Sequence, residues 1–83
     1  MSELAELPNL GPVTAGRLRE IGVETVEDLR TLGAVDAYRR LKFAFPRHTN
    51  VVCLTALEGA LTGVDWRRLD PDRLAELKQA VKP

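Results

Sequence analysis

The groups in this chain best suited to meet a charged ligand are backbone amides. In Leu7-Pro-Asn-Leu-Gly-Pro-Val-Thr14, Pro12 fits the first position of a helix, because the N–H it lacks would be unpaired there anyway. A helix starting at that point makes Gly11, Pro12 and the amides of Val13 and Thr14 the candidate phosphate-binding turn at its positive end. Unpaired N–H groups and the helix dipole both favour an anion such as a phosphate. Arg17 on the same helix, and Arg39, Arg40 and Arg47 further on, are the candidate side chains for added positive charge. The same geometry is also a compact way to pack two helices, and most arginines are simply solvated.

Other chemistry is poorly supplied. Cys53 is the only cysteine and His48 the only histidine, which excludes an internal disulfide and a cysteine-based zinc site, so no structural metal is expected. There is no nucleophile elbow, no Walker-type phosphate loop and no cluster of His, Cys and acids. The adjacent Glu27 and Asp28 point different ways on a helix. No enzyme, no cofactor and no small-molecule substrate are therefore expected. His48 reads as a surface loop residue, and Cys53 as a small buried hydrophobe, with a reactive thiol as its alternative.

Eighty-three residues make one domain over positions 1–83. A chain this short buries only ~60–65% of its unfolded surface, so its apolar side chains must share one core. Formal net charge is zero, but the distribution is uneven. Residues 1–36 hold seven acids and three bases, residues 37–57 hold four bases and no acid, and residues 58–83 hold five of each. The phosphate-type turn therefore lies in the acidic part, whereas nucleic-acid binding needs local positive potential. No signal-peptide pattern is present, and the most apolar stretch, Val51 to Leu61, falls short of the ~20 residues that span a bilayer. A cytoplasmic protein with no membrane partner is expected.

The elements that must position these groups are all helices. No strand-like alternation persists, and the glycines and prolines punctuate periodic segments. A weak turn is expected within Met1 to Glu6, with Leu4 and Leu7 covering the core's edge and Pro8 ending it. Asn9 and Gly11 both tolerate the left-handed conformation that a tight turn uses. Helices are then predicted at about Pro12–Ile21, Thr25–Leu32 and Val35–Phe43, then one capped by Thr49 or Asn50 and running to about Thr62, and one from Pro71 onward. Gly22, Gly33 and Gly63 end three of them. Thr25 and Asp28 imitate a capping box, and Asp70-Pro71 is a cap followed by a first-turn proline. Gly16 is either tolerated drift or a site of close helix approach. The helix from Val51, apolar on most sides, is expected at the centre of the core. Phe43 and Phe45 are expected to close the bottom of the core, a partner-binding knuckle with Arg47 and His48 being the alternative. Trp66 is expected as a plug against the central helix, an exposed hot spot being the alternative.

Two short helices around glycine turns, entered through Leu-Pro-x-Leu-Gly-Pro, resemble a helix-hairpin-helix element, which implies a phosphate at the turn's amides. DNA-binding hairpins usually carry Gly-x-Gly, and here the first position is Asn9. A fuller resemblance runs from Leu7-Pro-Asn-Leu-Gly-Pro12 through Ile21-Gly22, Thr25, Asp28-Leu-Arg30, Leu32-Gly-Ala-Val35, Ala37-Tyr38 and Leu41 to Ala56-Leu-Glu-Gly-Ala-Leu-Thr-Gly63 and Trp66. In order and spacing these are similar to the C-terminal domain of the TfoX (Sxy) competence regulators. That resemblance implies an all-helical domain of five to six helices with a helix-hairpin-helix-like N-terminal half, in bacterial proteins linked to regulation of natural transformation. In that family the domain often follows a separate N-terminal domain. This chain starts just before the signature and is expected to lack it. The family supplies no catalytic residues. A protein partner or self-association is the expected mode of action, and sequence-nonspecific DNA binding is the alternative.

Overall fold

Pro12 opens the first helix, α1 (Pro12–Glu20). The helix closes in a Schellman turn: the Val23 N–H bonds the Leu18 carbonyl at 2.9 Å and the Gly22 N–H bonds the Arg19 carbonyl at 3.1 Å. The turn requires a positive φ, and Gly22 supplies it at 94°. Val23 is thereby driven into the core, where it is 2% exposed. The computed structural model describes residues 4, 7 and 9–82, without the side chain of Trp66.

The second helix, α2 (Val26–Leu32), begins in a reciprocal capping box. The Asp28 N–H donates to Thr25 Oγ1 at 3.1 Å, and the Thr25 N–H donates to Asp28 Oδ2 at 3.2 Å. The shorter aspartate thus takes the part usually given to Glu or Gln. Gly33, with φ 86°, joins α2 to α3 (Ala34–Ala44) with no further residue between them.

Asn50 starts α4 (Val51–Thr62), its side chain accepting from the Val52 N–H at 3.0 Å. A 3-10 turn follows at Trp66–Arg68, with Asp65 accepting from the Arg67 N–H. Asp70 then caps α5 (Pro71–Ala80), accepting from the Asp72 N–H at 2.9 Å. The described residues form helices and turns without a strand.

The core is built on α4, which packs against α3, the 3-10 turn and α5. Leu54 and Leu57 of α4 are fully enclosed, together with Leu4, Leu18 and Leu29. Each such leucine contributes ~1.5–3 kcal/mol by leaving water. Leu4 is buried and Leu7 packs against the core, as the sequence suggests. The rest of the expected N-terminal turn, with Pro8, and the Trp66 plug lie outside the described residues and side chains.

Several readings are corrected by the packing. Phe43 is not a core residue but 92% exposed, and only Phe45 packs against the core. The buried stripe of α3 is Ala34, Ala37 and Leu41, and at ~100° per residue Phe43 falls on the opposite side. Although α4 is apolar on most sides, Val51 and Val52 in its first turn are 39% and 48% exposed. Cys53 is only half-buried. At the first turn Asn9 alone takes positive φ, at 70°, while Gly11 is extended. At Gly16 an added Cβ would meet nothing within 4 Å, so no close helix approach demands it.

Candidate functional site

Among the described residues no side chain caps the start of α1. The amides of Val13 and Thr14 have no side-chain acceptor among those residues, and Val13 is 65% exposed. Asn9 adopts the conformation a glycine would have at the turn. Its side-chain amide donates to the Val64 carbonyl at 3.0 Å and ties the turn to the end of α4.

The arginines proposed to serve those amides are dispersed. Arg17 turns onto the Phe45 ring, its guanidinium carbon 5.8 Å from the centroid, within cation–π range. This brings α1 against the connector that carries exposed Arg47. Arg39 is held elsewhere, against the end of α5. Its Nη2 donates to the Ala80 carbonyl at 2.6 Å, at the negative end of α5, and its Nη1 lies 3.7 Å from Asp36. Arg39 and Arg40 line one depression with Ile21, just past the C-terminal end of α1. The ten residues separating Ile21 from Gly11 span ~15 Å of helix, so the Gly11 turn and these two arginines occupy opposite ends of α1.

Lys42 of α3 is likewise engaged. Its Nζ donates to the carbonyls of Pro46 at 3.1 Å and Thr49 at 2.9 Å. Buried Thr49 donates its hydroxyl to the Leu41 carbonyl at 3.2 Å. The connector is thereby fastened to the end of α3, which fixes Phe45 under Arg17.

A different constellation emerges along the outer side of α3. Asp36, Arg40 and Phe43 lie within roughly 60° of arc on the helix, all exposed. Next to Arg40 is an open depression of about 280 Å³ with Gly22, Val23 and Leu32 in its walls and Asp28 and Asp36 beside them. The adjoining depression of about 360 Å³ is mainly apolar and carries Phe43. The signal for this face was in the sequence: carrying the Ala34-Ala37-Leu41 period forward leaves position 43 outside.

Two groups were less legible. Glu58, the one charged residue of α4, is nearly buried and accepts from Arg73 Nε at 2.9 Å and Nη2 at 3.3 Å. That carboxylate raises Arg73 above its ordinary range. Burial pushes the Cys53 thiol up, with Arg17 opposing the shift weakly, which leaves Cys53 a poor nucleophile at neutral pH.

The family model described as the TfoX C-terminal domain matches residues 1–81. The chain belongs to that family. Among relatives, it is 30% identical over 77 residues to the DNA transformation protein TfoX1 of Aliivibrio fischeri, covering 92% of this chain and 37% of that protein. It thus spans well under half the length of that relative. Two crystal structures share the fold. An uncharacterized protein from Listeria monocytogenes, in a triclinic form, superimposes with a TM-score of 0.86 at 36% identity, covering 90% of this chain and 84% of that one. A protein of unknown function from the same organism, in a tetragonal form, gives 0.86 at 35% identity, covering 93% and 94%. This TfoX C-terminal domain contains no described helix long and apolar enough to cross a membrane.

Proposed function

We propose that this TfoX C-terminal domain is a non-enzymatic docking module in the cytoplasmic regulation of natural transformation, acting through protein contacts on the outer face of α2 and α3. The observation that carries the reading is Phe43, which is 92% exposed on a helix whose own core stripe is complete without it. Aromatic residues and arginine are the types most enriched at protein interfaces, and Arg40 stands one turn from Phe43 with no side-chain partner among the described residues. The pathway is supported by the Aliivibrio relative, a DNA transformation protein. The test is transformation frequency in a strain lacking this gene and complemented in turn with wild type, Phe43→Ala and Arg40→Glu. Both variants should fold normally and lose most of the complementation. Full complementation by Phe43→Ala would sink the reading.

The second reading, sequence-nonspecific DNA binding, is favoured by one observation: the uncapped amides of Val13 and Thr14 at the positive end of α1. Gly11, Pro12, Val13, Thr14, Arg17 and Arg47 would be its contacts, with Arg39 and Arg40 too distant to join them. It predicts duplex binding that collapses between about 50 and 200 mM salt. Absence of binding at the lower salt would remove it.

A further inference from the structure

We propose that the outer face of α3 binds a second copy of this chain, across a two-fold axis that crosses α3 at the level of Tyr38 and sets the two copies of α3 antiparallel. This rests on reading that face as a protein-docking surface, and it names the partner.

The reasoning is self-complementarity. A two-fold interface sets residue i against j and j against i. With the axis at position 38, Asp36 of each copy meets Arg40 of the other, and Phe43 meets the level of Gly33. Leu32, the residue before Gly33, lines one end of the depression of about 280 Å³, whose walls also include Gly22, Val23, Asp36 and Arg40. The depression runs from Leu32 to Arg40, with Phe43 one turn beyond it, and a second copy reversed about position 38 lays its Phe43 over the Leu32 end. Both features are therefore present on one face, in the reversed order that a second copy requires.

Other occupants match only part of this surface. An acidic peptide would answer Arg40 and leave Asp28 and Asp36 opposed to like charge. A basic peptide would do the converse, and a nucleic acid would be repelled by the two carboxylates. A second copy supplies both signs and the aromatic plug together. The chain's zero formal net charge removes long-range repulsion between copies.

The test is sedimentation equilibrium on the full chain and on four variants: Phe43→Ala, Asp36→Arg, Arg40→Asp and the double charge swap. All three positions are exposed, and matching far-UV circular dichroism confirms folding. Wild type is expected to dimerise. Phe43→Ala should weaken the dimer by at least about 100-fold, since the plug is lost twice. Each single charge reversal should weaken it, and the swap should recover most of the affinity because both partners exchange sign together. A wild type that stays monomeric up to about 1 mM would overturn the proposal, as would a dimer indifferent to Phe43→Ala, or a swap no better than the single reversals. Monomeric wild type with loss of transformation in Phe43→Ala would remove the second copy and keep the docking face. A dimer broken by Phe43→Ala without loss of transformation would support the second copy and remove the regulatory role of the face.

Discussion

Arg73→Ala should destabilise this fold more than Glu58→Met, although the two residues form one ion pair. The asymmetry comes from exposure: the Glu58 side chain is 10% exposed and the Arg73 side chain 46%. Removing the arginine strands a carboxylate at a nearly closed position on α4. A fully buried pair broken in this way loses ~3–5 kcal/mol. Solvent reaches the arginine half here, which screens the pair and reduces the expected loss to ~1–2 kcal/mol. Removing the glutamate instead leaves an arginine that can turn to water, and methionine fills the vacated space, so the cost should stay below ~0.5 kcal/mol. Urea and thermal unfolding followed by circular dichroism measure both. For a domain of this size the arginine loss corresponds to a melting temperature lower by roughly 5–15 °C. The double variant Glu58→Met with Arg73→Ala should recover most of that loss. Arg73→Ala as stable as wild type, or a double variant no better than Arg73→Ala, would refute the reasoning.

Three further outcomes follow from the packing. Thr25→Ala removes one half of the capping box at α2 and should cost ~1 kcal/mol in urea unfolding, with Gly in its place costing less. Leu57→Ala empties a fully enclosed position on the central helix and should cost ~2–5 kcal/mol. The Cys53 thiol, pushed above its ordinary value of 9.0 by burial, should be alkylated slowly in the folded protein and quickly in denaturant. Because its folded value is raised, its contribution to stability is complete below the ordinary thiol range and is lost as pH rises from there through the raised folded value. A pH titration of the alkylation rate checks the direction, and a folded-state rate matching that of the denatured chain would contradict it.

Much of the fold could be read from local chemistry. Pro12, the Thr25–Asp28 box, Gly22, Gly33 and Asp70-Pro71 each act within a few residues, so their spacing alone sets helix ends. The centrality of α4 was legible from its apolar surface on nearly every side. Phe43 was misread because residue type was given more weight than helical phase: Leu41 already holds the inward position, and two residues further on is the far side. Val51 belongs in phase with Leu54, but it sits in the first turn of α4, where it is 39% exposed. The candidate site was harder. Arg17 over Phe45, Arg39 on the Ala80 carbonyl and Arg73 on Glu58 each depend on the packing of separate helices, which no local pattern encodes. A lone acid inside the apolar run of α4 was the one sequence signal for the last of these.

What touches Phe43 in the living cell tests the account most directly. A photo-crosslinking phenylalanine analogue is placed at position 43 and, in a second strain, at exposed Val13 beside the uncapped amides of α1. Illumination should give a discrete protein adduct from position 43, with no DNA adduct from position 13. A DNA adduct at position 13 together with no protein adduct at position 43 would contradict the account.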